Sequence, residues 1–395
     1  METVGKNYTR TIVGCFFGIS NQAVITNITA VLFVHFMNLY DFRFWQLGVL
    51  VGVNFAVQLA ADIVLTFLVD RIGFRPLVMA ASGISTIGLL LYGSLPFWVS
   101  IDDMFPAMLL TAVIFAFSSG MCEALLSPIV DNIPETEKSK GSAMSLMHSF
   151  YAWGQVFCVV ATALFLKIAG SEKWGFAVIF FAFIPAIALA LFSKAPIEQK
   201  AILPDKSGTR KILTSPFFIV ALLAIFFGGA AEVVMNQWVS TFLVKGLRID
   251  KTTADLLGMS FFAAGIGLGR LIHGKFGDRW SLSRVMIAGS FFSFALYLVT
   301  GLSQNAAVSF VTSVALGFTA SLLWPGTLSV ASRKFPQAGA WLFTVLAIAG
   351  DTGAAILPAA AGFISENAGL NIMLICMSLA PLGALFCHLF LSREG

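Results

Sequence analysis

The sequence predicts an all-α integral membrane protein, with twelve transmembrane helices arranged as two six-helix bundles. Three observations lead there. Of 395 residues, 58% are hydrophobic and 11% charged, against roughly 25% charged in soluble domains. The apolar residues fall in long runs rather than in the short alternating segments of a barrel, and only helices and closed barrels satisfy a backbone in hydrocarbon. Divided among twelve, the length leaves about 33 residues for each span and its loop, where roughly 20 to 25 are needed to cross. This composition excludes a soluble cytoplasmic enzyme, and also a disordered chain, which would be poor in apolar residues and rich in net charge. The 39 Phe and 35 Gly suit lipid and close helix packing.

The first six apolar runs cover about 11–37, 45–68, 76–98, 104–130, 141–168 and 174–193. Lys6 and Arg10 before the first run imitate a signal peptide, but Asn21, Gln22 and Asn27 interrupt it and no small-residue cleavage site follows, so it reads as span 1. The extended polar break comes next, with Lys194, Lys200, Lys206, Arg210, Lys211, Pro196 and Pro204. Six further runs cover about 214–244, 254–276, 284–302, 305–331, 338–363 and 369–391. The expected organisation is a bundle over 1–193, a cytoplasmic linker over 194–213 and a second bundle over 214–395. Cys15, Cys122, Cys158, Cys376 and Cys387 all lie in apolar stretches without metal or redox spacing, and read as packed thiols.

Orientation follows from the basic residues. With the N-terminus inside, the cytoplasm receives Lys6, Arg10, Arg71, Arg75, Lys138, Lys140, the five basic residues of the break, Arg270, Lys275, Arg279, Arg284, Arg333, Lys334 and Arg393. Arg43, Lys167, Lys173, Lys245, Arg248 and Lys251 fall outside. That asymmetry places both termini in the cytoplasm.

The halves are related. Phe16-Phe17-Gly18 aligns with Phe226-Phe227-Gly228, which sets Gln22 against Glu232 and Asn27 against Gln237. Asp70-Arg71 aligns with Asp278-Arg279 and pairs Asp62 with Arg270; Gly120 to Pro128 matches Gly317 to Pro325. A parallel six-plus-six duplication of this kind places a transporter's substrate between the halves near mid-membrane.

With these features the chain resembles the major facilitator superfamily. Its signature loop, Gly-x-x-x-Asp-Arg-x-Gly-Arg, follows span 2 as Asp70-Arg71-Ile72-Gly73-Phe74-Arg75, with Thr66 in place of the first Gly and Phe74 displacing the Arg by one. After span 8 it recurs as Gly274-Lys275-Phe276-Gly277-Asp278-Arg279. Within the superfamily, Glu123 after Gly120-Met121-Cys122 and the run His148-Ser149-Phe150-Tyr151 look most like the fucose–glucose symporter branch. The resemblance implies the major facilitator fold, a monomer, spans 4 and 7 facing a central cavity, and Asp70, Arg71, Arg75, Asp278 and Arg279 as latches at cytoplasmic helix ends.

A charge at mid-bilayer costs roughly 2.5–3.5 kcal/mol on insertion scales, so each acid within a span needs a reason. Asp131 falls at the end of span 4 and reads as solvated. Asp62 lies two turns from Asp70 and is expected to pair with a basic residue such as Arg270. Glu123, Glu232 and Asp351 lie deeper, and neither glutamate has an Arg or Lys at i±3 or i±4. A carboxyl group withdrawn from water can load and release a proton near neutral pH. All three are candidates for proton coupling, Glu232 also for substrate binding; the alternative is a carboxyl hydrogen-bonded to a neighbouring helix.

Polar stripes add candidate substrate contacts. His148, Tyr151 and Gln155 share one face of span 5 by their i, i+3, i+7 spacing. Asn21, Gln22, Thr26 and Asn27 in span 1 match Glu232, Asn236 and Gln237 in span 7. Amides offer bidentate partners to hydroxyls, and an indole such as Trp238 or Trp324 can cover the apolar face of a sugar ring. Interhelical hydrogen bonding, and interface anchoring for the tryptophans, are the competing readings. The scattered His35, His148, His273 and His388 give no metal spacing. Gly265-Ile266-Gly267-Leu268-Gly269 imitates a phosphate loop, yet it sits in an apolar run and reads as helix packing.

No nucleotide-binding loop, cofactor motif or nucleic-acid patch is present in the sequence. The expected function is secondary active transport by alternating access: symport of a proton, with sodium the alternative, and a small neutral polar solute such as a monosaccharide. The absence of mid-span basic residues weighs against anionic substrates. A drug/proton antiporter exporting lipophilic cations is the rival, and a non-transporting membrane sensor or scaffold the alternative from another class.

Overall fold

The computed structural model describes residues 7–133, 137–198, 209–276 and 279–394, and these are helices joined by short turns, with no strand among them. Twelve stretches are long and apolar enough to cross a membrane: Thr9–Tyr40, Phe44–Leu65, Phe74–Phe97, Met104–Asp131, Leu146–Ala169, Ser171–Phe192, Pro216–Gly246, Lys251–His273, Leu282–Leu302, Ala306–Lys334, Leu342–Ala368 and Leu370–Arg393. They are numbered spans 1 to 12. Each coincides with an expected apolar run to within a few residues. Gly73, at φ 88°, ends the helix of span 2, since a left-handed backbone suits glycine and breaks the ladder.

The chain forms two packing units. The first comprises Met1–Leu32 and Val57–Ile202; the second comprises Phe33–Ala56 and Leu203–Gly395. The end of span 1, the start of span 2 and the turn between them therefore pack with the later spans. In this respect the units differ from a division at the polar break.

Lipid tails are as apolar as leucine, so helices in a membrane associate through close packing rather than through the hydrophobic effect. Small residues permit that approach in both units. In the first, a Cβ on Gly120 of span 4 would sit 2.4 Å from the Gln58 carbonyl oxygen of span 2. Tyr92 of span 3 is buried with its ring against Phe115 and Trp174, at centroid distances of 5.2 and 5.5 Å. In the second unit, spans 8 and 10 make a reciprocal contact. A Cβ on Gly265 would meet the Val314 carbonyl oxygen at 2.3 Å, and one on Gly317 that of Phe262 at 2.1 Å. The Gly265–Gly269 run thus packs helices, as its apolar setting implies.

The hairpin of spans 1 and 2 is seated in the second unit in the same way. Phe44 donates its backbone N–H to Glu366 at 2.9 Å, and a Cβ on Gly48 would meet the Ala359 carbonyl oxygen at 2.7 Å. Trp238 lies fully buried between Phe33 and Phe44 and donates its indole N–H to the Pro358 carbonyl at 3.1 Å.

Span 10 is broken after Ala320, and the chain turns at Ser321–Leu322 before the helix resumes. The cause is local. Pro325 has no N–H, so the carbonyl four residues earlier, that of Ser321, loses its helical partner.

Gly120→Ala is expected to lower the thermal midpoint in detergent by the equivalent of about 1–3 kcal/mol, because the new methyl forces spans 2 and 4 apart. Gly83→Ala, whose methyl meets a neighbour only at 4.0 Å, should leave the midpoint unchanged or slightly higher.

Candidate functional site

The first unit gathers polar side chains from spans 1, 2 and 4. Gln22 donates its amide to the carboxylate of Glu123 at 2.7 Å. A carboxylate oxygen of Asp62 lies within 4.8 Å of one of Glu123. One turn along span 2, Gln58 accepts a hydrogen bond from Ser119 at 3.1 Å, beside the tight contact at Gly120. Asp62 is buried at 6% exposure and Glu123 is partly buried.

Asn21 is used differently. Its amide donates to Ser85 at 2.8 Å and its carbonyl accepts from the same hydroxyl at 3.1 Å, a reciprocal bond between spans 1 and 3. Asn27 donates to the Ala23 carbonyl of its own helix. The span 5 stripe is graded rather than uniformly buried: His148 is exposed, Tyr151 half-buried and Gln155 buried.

The second unit holds the repeat-related positions, and there the chemistry changes. Arg270 donates to both carboxylate oxygens of Glu232, at 3.2 and 3.4 Å, and its Nε donates to the Ser321 carbonyl at 3.2 Å. One guanidinium thus joins spans 7, 8 and 10, and the carbonyl released by Pro325 is one of its acceptors. Two expectations are corrected here. Arg270 serves Glu232 rather than Asp62, and Glu232 has its counter-ion on the neighbouring helix, where spacing along span 7 could not reveal it.

Asn236 and Gln237 are buried in span 7, and Asp351 is buried in span 11. Trp238 departs from both expected uses. Trp238 is packed inside the unit, neither anchoring at an interface nor exposing an apolar face. Trp324 is wedged against glycines, since a Cβ on Gly229 or Gly350 would meet its ring at 2.6 or 2.4 Å. Of the latch candidates, Arg75 donates to the Ser193 carbonyl at the end of span 6. Arg71 is exposed, and Arg279 lies over the Phe276 ring at 5.7 Å. Asp278 and the side chain of Asp70 fall outside the described residues, and Asp131 is exposed at its helix end.

Sequence reasoning missed three features. Gln58 carried no motif. His388 is buried with Nδ1 2.9 Å from the Ser290 hydroxyl and Nε2 3.2 Å from that of Thr327, joining spans 9, 10 and 12. Lys251, placed from sequence among the outside basic residues, forms an ion pair with the buried Asp255, which the sequence reading did not single out.

Twelve membrane-crossing helices among the described residues, with acids paired inside them, define a polytopic membrane protein. The sequence profile described as Major Facilitator Superfamily matches residues 12–257 and 239–395, and the chain belongs to that family. The multi-drug resistance efflux pump PmrA of Streptococcus pneumoniae is 24% identical over 285 residues, covering 69% of this chain and 67% of the pump. Among solved structures, a bacterial homologue of the human lysosomal transporter Spinster, inward-facing and occupied, superposes with a TM-score of 0.77 at 15% identity, over 99% of this chain and 98% of that one. The E. coli fucose:proton symporter superposes at 0.67 and 15% identity, over 98% and 99%.

If the Glu232–Arg270 contact is a structural ion pair, Glu232→Gln leaves a guanidinium without its counter-charge and lowers the thermal midpoint. Adding Arg270→Gln should recover about half of the loss or more. A double variant no more stable than Glu232→Gln would show that the two side chains do not act as a pair.

Proposed function

We propose that this transporter couples the movement of a proton to that of a small neutral polar solute, with a monosaccharide the leading class, as a symporter working by alternating access. The observation that carries this reading is the contact between Gln22 and Glu123 with Asp62 alongside. The carboxyl pair supplies a proton site. The amide on Glu123 supplies the link to a solute, because a hydroxyl that engages Gln22 competes with the carboxylate for the same donor. Solute and proton then alter each other's affinity reciprocally, which is what coupling requires. Tyr151 and Gln155 of the first unit, and Asn236 and Gln237 of the second, are proposed as further solute-binding groups. Sodium is the alternative coupling ion. The excess of basic residues on one side supports cytoplasmic termini in a cell membrane.

A second reading is favoured by one observation, the relationship to PmrA: export of lipophilic cations in exchange for protons. It also accommodates Asn21 and Trp238, which are engaged within their own units rather than presented to a sugar.

Purified protein in proteoliposomes separates these readings. Under symport, an acid-outside gradient drives accumulation of one or a few labelled monosaccharides, and Glu123→Gln loses at least about tenfold of that accumulation while retaining solute exchange. Unchanged gradient-driven uptake in Glu123→Gln would remove this residue from coupling. Gradient-driven movement of lipophilic cations, with none of any sugar, would establish the antiporter.

A further inference from the structure

Span 7 ends and span 8 begins around a second cluster of titratable groups. The Lys251 ammonium binds the carboxylate of Asp255, one turn further along span 8. Ser240 of span 7 donates its hydroxyl to the same carboxylate oxygen and accepts from Lys251 at 3.1 Å. Asp255 is fully buried, whereas the Lys251 side chain keeps 14% of its surface. The pair therefore joins a partly accessible lysine side chain to an inaccessible carboxylate.

Two features exceed what a structural staple requires. The second carboxylate oxygen of Asp255 has no hydrogen-bond partner among the described residues, and neither do the buried hydroxyls of Thr241 and Ser260. A buried ion pair gains little over an apolar contact of the same size, and less when an oxygen is unsatisfied. The helices are also wound wide here: span 7 ends in a π-helical turn at Phe242–Gly246, and Asp255 lies in another, Ala254–Met259, near the start of span 8. Such turns are rare and recur at functional sites.

Other charges face the cluster. His35 of span 1 lies within electrostatic reach of Lys251. Asp250 acts on both members and accepts from the Thr253 N–H at 3.0 Å. Lys245 is turned to Asn38 at 2.8 Å.

We infer that Lys251, Asp255 and Ser240 form a second proton-accepting site, located in the second unit. The step balances simply: the proton leaves Nζ of Lys251 for the Asp255 carboxylate, and the resulting amine takes a proton from a hydronium ion, releasing water. Lys251 ends charged and Asp255 neutral, with one proton gained. A place for this site in transport rests on the proton-coupled reading above; proton binding itself does not, and is measured without any solute.

Infrared titration of the purified protein in detergent, between about pH 5 and pH 9, provides the test. Alongside any contribution from the Glu123 and Asp62 carboxyl groups, the wild type should show an Asp255 component of the carboxylic-acid carbonyl band that grows on acidification. Lys251→Met with Asp255→Leu removes both charges at similar volume, a change that buried pairs often tolerate, and should lose that component. Glu123→Gln should keep it. A double variant titrating like the wild type would overturn the inference. Should the double variant fail to fold, Ser240→Ala leaves the pair in place and removes one hydrogen bond to the carboxylate. It is expected to move the component's midpoint by about one pH unit, and an unmoved midpoint would equally overturn the site.

Discussion

Hydrocarbon offers no partner to a charge, and that constraint organises the interior of both units. A carboxylate inside a span must meet a cation, a donor or a proton, and each response has its own consequence. Glu232 meets a guanidinium, which joins spans 7, 8 and 10. Asp255 meets an ammonium and a hydroxyl. Glu123 meets an amide and a second carboxyl group. A guanidinium holds its charge at every accessible pH, so the kind of partner separates the acid at Glu232 from the carboxyl pair at Glu123.

The backbone obeys the same constraint. Pro325 deprives the Ser321 carbonyl of its helical bond, and the cost of leaving it bare in the membrane is met by Arg270. The break in span 10 and the ion pair at Glu232 are therefore one construction. Removing either would expose a polar group that the other now satisfies. Glycine at 120, 265 and 317 brings neighbouring backbones close enough for such short polar links to reach across.

The twelve spans were legible because hydropathy over some twenty residues is a property of the chain alone. The expected orientation and the internal repeat rest on features equally local. The partners of the buried acids were not legible. Arg270 lies 38 positions from Glu232, so no i±4 rule could find it. Lys251 and Asp255 fell at the edge of an apolar run, where sequence depth cannot separate a solvated residue from one turned inward. Trp238 shows the limit for aromatic residues. Its place near a helix end suggested an interface, but a glycine-lined crossing of spans 2 and 11 and the carbonyl of Pro358 gave it a buried partner instead. Gln22 was marked by its polarity alone; that it would be spent on Glu123 depended on how spans 1 and 4 cross.

The duplication gives the polar nodes a common origin and separate uses. Gln22 and Asp62 of the first repeat occupy the positions of Glu232 and Arg270 in the second. In the second repeat those positions carry opposite charges and close on each other. In the first they carry an amide and an acid, and span 4 adds Glu123 where the matched position in span 10 is Ala320. The second node thereby holds a matched ion pair, while the first holds two carboxyl groups. Three differences at matched positions, Gln22 for Glu232, Asp62 for Arg270 and Glu123 for Ala320, separate the ion pair of the second repeat from the carboxyl pair of the first.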